Sequence, residues 1–133
     1  MTIYYVDTSA FLAILDADDK NHIRAKAQWT KLILAQATLV CSDYVLVETL
    51  ALIQHRLGLA AVRVFHEDIF PLLTIEWVDE STYRAGITAV LTAARRKLSL
   101  VDCISFEVMR RLGVQSAFAF DKHFEEQGFT CVP

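Results

Sequence analysis

The run Ile3-Tyr4-Tyr5-Val6-Asp7-Thr8-Ser9 carries the strongest architectural signal in the chain. Its first four residues are β-branched or aromatic and predict a buried strand over 2–6, with a carboxylate where that strand should stop. Ser9-Ala10-Phe11-Leu12-Ala13-Ile14-Leu15 then turns to helical composition, predicting a helix over 9–17. In open α/β sheets ligands bind outside the carboxyl ends of the strands, so Asp7 stands where chemistry is expected. An aspartate at such a junction is equally an ordinary N-cap, whose side chain satisfies free backbone N–H groups.

The remaining chain continues the alternation. After the polar group Asp16-Ala17-Asp18-Asp19-Lys20-Asn21, a helix is predicted over 22–37 with Ile23, Ala27, Trp29 and Leu34 facing inward. A short strand over 39–41 leads to Ser42-Asp43, a helix start. In the helix that follows, Leu46, Leu50, Ile53 and Leu57 form one apolar stripe, and Gly58 suits the position just past its end. A further helix is predicted over 59–70, ended by Pro71, then a strand over 73–78. Asp79-Glu80-Ser81 opens a helix reaching about Arg95. Another is predicted over 100–112, burying Val101, Ile104, Val108 and Leu112 and ending at Gly113. Residues 117–120 read as a strand, 121–127 as a short helical turn, and 129–132 as a last strand. Strands alternating with helices imply a single α/β domain over 1–133, a three-layer α/β/α sandwich around a mostly parallel four- or five-stranded sheet.

The chain has 133 residues, 54% of them hydrophobic, enough for a sizeable core. A formal charge of −3 argues against a generic polyanion binder, yet leaves room for nucleic acid if the acids are gathered in a metal site. Cys41, Cys103 and Cys131 are scattered and odd in number, which fits a reducing compartment and no disulfide framework. With no signal-peptide pattern and no long uncharged apolar run, a cytoplasmic protein with no membrane span is expected.

Four carboxylates carry the chemistry. Glu48 lies mid-helix in Tyr44-Val45-Leu46-Val47-Glu48-Thr49-Leu50, too far in to cap, with Leu52 and His55 as its neighbours along the helix. A carboxylate drawn toward an apolar interior needs a partner or a metal; on an exposed edge it would pair with a surface base. Asp102 has capping-box spacing with Ser99, and Asp121 follows the strand over 117–120 where it serves equally as a cap. If the strands ending in Asp7 and Asp121 are parallel neighbours, the two Cα atoms are expected ~5 Å apart. Simple topology puts Asp102 at the opposite edge, unless the loop over 96–100 carries its helix start to the carboxyl edge. Four acids in one pocket raise one another's pKa and call for a cation, and hard oxygen donors select Mg²⁺ or Mn²⁺.

The order strand-Asp7-Thr8-Ser9, helix-borne Glu48, Leu98-Ser99-Leu100-Val101-Asp102 and Phe118-Ala119-Phe120-Asp121-Lys122-His123-Phe124 resembles the PIN-domain nucleases, VapC-type toxins of toxin–antitoxin pairs above all. The resemblance implies a Mg²⁺- or Mn²⁺-dependent endoribonuclease in which Asp7, Glu48, Asp102 and Asp121 hold the metal and act in catalysis. Thr8 and Ser9 inherit a supporting role. It also implies an RNA substrate, an antitoxin protein partner and a homodimer. Many relatives carry a further acid shortly after the fourth; Lys122 and His123 stand there in this chain, which leaves one ion or two open.

Arg95, Arg96, Lys97 and Lys122 are candidate RNA contacts, although cations at a helix C-terminus also complement its dipole. His22 and His123 are expected at the surface, and no histidine has zinc spacing with a cysteine. A phosphoacceptor domain would want an acidic doublet ending its first strand, but Asp18-Asp19 lies in a loop. An aspartate-nucleophile phosphatase would want an acid two residues after Asp7, where Ser9 stands. A non-catalytic RNA- or protein-binding module on the same fold is the alternative that metal-dependent cleavage distinguishes.

Overall fold

The computed structural model describes residues 2–133. Its strands are β1 (Ile3–Val6), β2 (Thr38–Ser42), β3 (Thr74–Glu76), β4 (Ser116–Phe118) and β5 (Thr130–Val132). Its helices are α1 (Thr8–Leu15), α2 (His22–Leu34), α3 (Asp43–Leu57), α4 (Leu59–Val64), α5 (Glu80–Ala93), α6 (Leu100–Leu112) and α7 (His123–Glu126). All strand pairs are parallel, in the order β3-β2-β1-β4-β5. The expected α/β/α sandwich is therefore present, with a five-stranded sheet.

Consecutive buried residues show that both faces of the sheet are covered. Tyr5 and Val6 are buried, as are Leu39, Val40, Cys41 and Ser42 along β2, which a one-sided sheet would alternate with exposed positions. Helix α1 packs with α2 and α3, and α5 with α6. The chain starts in the middle of the sheet, builds β2 and β3 to one side, then returns to add β4 and β5 on the other. That reversal lies between β1 and β4. Their carboxyl ends bound the crevice where sheets of this kind bind ligands.

Local signals were met at most helix starts. Ser42, Asp79 and Ser99 cap α3, α5 and α6 by accepting backbone N–H bonds from Val45, Thr82 and Asp102. Gly58 and Gly113 take positive φ at 89° and 70° after α3 and α6. Aromatic packing fills the core against α7: Phe124 meets Phe106 edge to face at 5.0 Å, and Tyr5 donates its buried hydroxyl to Ser105 Oγ at 2.8 Å.

Four expectations are corrected. Helix α2 turns Ala25 and Leu32 inward while Ile23 and Leu34 are 84% and 79% exposed, and Ala27 is exposed too. The helix packs on α1, and Ala25 and Leu32 are its buried residues. Residues 59–70 are not one helix. After α4 the backbone widens to π geometry over Phe65–Ile69, which lets both Phe65 and Ile69 reach the core, and Pro71 then lies inside a 3₁₀ turn over Phe70–Leu72. Leu112 is 44% exposed; Cys103, Phe106 and Met109 fill the inner face of α6 with Ile104 and Val108. Strand β4 stops at Phe118, two residues early. Among the described residues no helix is long and apolar enough to cross a membrane.

Candidate metal-binding acidic site

Asp7 follows β1 in an extended conformation and caps α1. Its Oδ2 accepts the Ser9 backbone N–H at 3.1 Å and the Ser9 hydroxyl at 2.6 Å. The cap reading is met, and the capping carboxylate is also the one that ends β1 at the sheet's carboxyl edge. Burial to 4% exposure pushes the carboxyl up to about 7; the Ser9 bonds oppose that rise, and the nearby charges of Asp102 and Asp121 add to it.

Glu48 is half-buried on α3. Burial raises its pKa, the Thr8 hydroxyl lowers it, and Asp102 and Asp121 raise it again. Thr8 is in turn fixed by the buried Thr49 hydroxyl at 3.3 Å. The exposed-edge reading fails, because the charges Glu48 senses are the other acids.

Asp102 forms a reciprocal capping box with Ser99: its N–H donates to Ser99 Oγ at 3.0 Å, and its Oδ2 accepts the Ser99 N–H at 3.1 Å. Its pKa is raised chiefly by burial, with Asp121 contributing. The helix start does reach the carboxyl edge. Leu98 in the preceding loop is buried, and a ligand atom of Asp102 lies within 4.8 Å of those of Asp121 and His123.

Asp121 joins the cluster by a route other than strand pairing. β1 and β4 are parallel neighbours, but Val6 pairs with Phe118, so Ala119 and not Asp121 falls opposite Asp7. The expected close Cα pair is thus replaced by a turn. Phe120 donates its N–H to Ser9 Oγ at 3.0 Å, bending the chain over the start of α1 and bringing Asp121 in. Asp121 Oδ1 then accepts the His123 N–H at 2.9 Å.

His123, expected at the surface, is 7% exposed. Potential ligand atoms of Asp102, Asp121 and His123 lie within 4.8 Å of one another. Only the Asp-x-His spacing hinted at this, since where α7 lands is set by tertiary packing, its Phe124 lying against Phe106 and Phe129. His22 is half-buried, its Nδ1 2.7 Å from the Ala13 carbonyl oxygen.

Arg96, Lys97 and Lys122 are exposed, whereas Arg95 is drawn to Glu126 at 3.4 Å. Arg24, which the sequence did not single out, lies over the Phe120 ring at 5.6 Å. A cleft of about 370 Å³ lined by Asp43, Tyr44, Val47, Glu48 and Val101 opens beside Glu48.

Hard carboxylate oxygens converging at a rim, several with raised pKa, suit a divalent ion. The PIN domain family model matches residues 4–129. The 23S rRNA-specific endonuclease VapC20 of Mycobacterium tuberculosis is 33% identical over 126 residues, covering 94% of each chain. The crystal structure of Mycobacterium tuberculosis VapC20, described as a sarcin–ricin loop cleaving toxin, superposes with a TM-score of 0.84 at 30% identity over 97% of each chain. FitAcB from Neisseria gonorrhoeae shares the fold, with a TM-score of 0.70 at 17% identity over 99% of this chain and 97% of its own. The topology, the acids at the switch point and these similarities together place the chain in the PIN domain family.

Proposed function

We propose that this protein is a divalent-metal-dependent endoribonuclease, the toxin of a toxin–antitoxin pair, folded as one domain over 1–133. The observation that carries this reading is that acids from four separate places in the chain gather at one edge: ligand atoms of Asp102, Asp121 and His123 lie within 4.8 Å of one another, and Asp102 and Asp121 both raise the pKa of Asp7 and of Glu48. Such a cluster resists ionisation without a cation. The oxygen-rich donor set fits Mg²⁺ or Mn²⁺, held by Asp7, Asp102 and Asp121 with Glu48 adjoining.

A divalent ion bound there supplies charge neutralisation of the scissile phosphate and acidifies an attacking water. The chain's own groups do the positioning. Ser9 holds Asp7 and Thr8 holds Glu48, so both carboxylates keep fixed orientations. Glu48 would orient the water for in-line attack on phosphorus and accept its proton, while the P–O bond to the leaving ribose oxygen breaks and that oxygen is protonated from solvent. Arg96, Lys97 and Lys122 hold flanking phosphates, and Tyr44 offers a ring for stacking a neighbouring base in the cleft.

VapC20 acts on 23S rRNA, which supports structured ribosomal RNA as the substrate class here. An antitoxin and a second copy of the chain are the expected partners. Exposed Val47 beside the cleft and exposed Leu57, Leu59 and Val64 on the α3–α4 face are apolar surface available to them.

The test incubates a sarcin–ricin stem-loop RNA, and an unstructured RNA of equal length, with purified protein and Mn²⁺ or Mg²⁺. Cleavage should stop on chelation and fall ~100-fold or more in Asp121→Asn and Glu48→Gln. Activity that survives both substitutions overturns the assigned roles. Binding of RNA with no cleavage in either metal favours the non-catalytic module.

A further inference from the structure

We infer that His123 is itself a ligand of the divalent ion, making the site a mixed oxygen–nitrogen site that prefers Mn²⁺ to Mg²⁺. This deepens the metal-dependent reading above and rests on it.

The imidazole is built in. It is 7% exposed, and its backbone N–H is tied to Asp121 Oδ1 at 2.9 Å, which fixes that carboxylate against the turn that carries the ring. Its Nδ1 lies 2.8 Å from Glu126 Oε1, and Glu126 is braced by Arg95 at 3.4 Å. A carboxylate only accepts, so Nδ1 donates to Glu126 and Nε2 is the ring nitrogen left facing the acids, where a bound ion would displace any proton. Metal-binding histidines are commonly held this way, with the far nitrogen donating to a carboxylate.

The free nitrogen faces the acids. Nε2 is 3.9 Å from Asp121 Oδ1, and the ligand atoms of Asp102, Asp121 and His123 fall within a 4.8 Å span. Two ligands each ~2.1 Å from one octahedral ion are separated by about 3–4 Å, so the observed gap admits an ion between them. Mg²⁺ strongly prefers oxygen, whereas imidazole nitrogen suits transition ions, and Mn²⁺ accepts both. Glu126 and Arg95 are thereby positioning residues that act through His123.

The experiment titrates Mn²⁺ and Mg²⁺ into the full chain by calorimetry and records pulsed EPR of the Mn²⁺-loaded protein. Imidazole nitrogen coupling to bound Mn²⁺ is expected, with Mn²⁺ bound ~10-fold or more tighter than Mg²⁺. His123→Gln should abolish the coupling and bring the two affinities within ~3-fold. Glu126→Gln should retain the coupling and weaken Mn²⁺ binding ~10-fold. Mn²⁺ bound to the unsubstituted protein without nitrogen coupling overturns this inference and leaves the nuclease reading standing. Failure of the unsubstituted protein to bind either ion overturns both. The spectroscopic result needs no variant, so a folding defect in His123→Gln does not shelter the inference.

Discussion

The Ser9 hydroxyl donates to Asp7 Oδ2 at 2.6 Å and accepts the backbone N–H of Phe120 at 3.0 Å, so one side chain joins the ends of β1 and β4. It fixes the acid at the topological switch point and bends the loop that delivers Asp121.

Ser9→Ala should therefore cost both stability and activity. Losing two partly buried hydrogen bonds predicts about 1–2 kcal/mol of destabilisation, read by urea denaturation. Cleavage should fall more than stability explains, because Asp7 and Asp121 both lose their guide. Unchanged turnover at unchanged Tm would show that Ser9 guides neither.

The acid cluster predicts an unusual pH profile for metal-free protein. Asp7 titrates at about 7 when folded against an ordinary value of 3.8, because it is buried. Between those values the folded protein holds a proton that the unfolded chain has released. Stability contributed by this group is thus full at low pH, falls as pH rises from about 4 to about 7, and levels off above. Glu48 and Asp102 shift in the same direction. Asp7→Asn should flatten the profile and raise the metal-free Tm at pH 8 by roughly 3–6 °C. A Tm that falls in Asp7→Asn contradicts a strained carboxylate.

Divalent metal should reverse the penalty. Millimolar Mn²⁺ or Mg²⁺ is predicted to raise the Tm at pH 8, by about 2.7 kcal/mol of added stability when the ion is at ~100 times its Kd. Asp121→Asn should lose most of this gain, as measured by scanning fluorimetry across a metal series.

The exposed cations should separate by role. Arg96→Ala, Lys97→Ala and Lys122→Ala are predicted to raise KM for RNA and flatten its salt dependence by ~0.7 in log–log slope each. Arg95→Ala should instead act on metal affinity, since Arg95 braces Glu126.

Gly86 tests the support beneath Asp102. A Cβ there would lie 2.5 Å from Ile104 Cδ1 and 3.1 Å from its Cγ1, and Ile104 is fully buried. Gly86→Ala should push α5 from α6 and destabilise by about 1–3 kcal/mol, measured by chemical denaturation.

Several of these features were legible from residue pattern alone. Ser99, Asp102 and Gly113 bracket α6 with a capping box and a C-terminal glycine, and its bounds match the predicted 100–112. Asp7 was legible because a strand rule and a cap rule met on one residue. Local pattern could not supply phase or burial. Helix α2 exposes Ile23 and Leu34, whose apolar character says nothing of which side α1 occupies. His123 reads as polar in sequence, and its burial depends on where α7 lands after β4. The Asp7–Asp121 relation failed for a similar reason: β4 ends two residues early, and a hydrogen bond from Phe120 to Ser9 replaces strand pairing.

The central claim is that acids from four elements gather at the carboxyl edge to hold a divalent ion. Anomalous diffraction from crystals grown with Mn²⁺ tests it most directly. A single strong peak, or a close pair, is predicted within bonding distance of Asp7, Asp102 or Asp121 at the β1–β4 edge, and it should vanish in Asp121→Asn crystals. Saturating Mn²⁺ with no peak at that edge, or a peak only elsewhere on the surface, would contradict it.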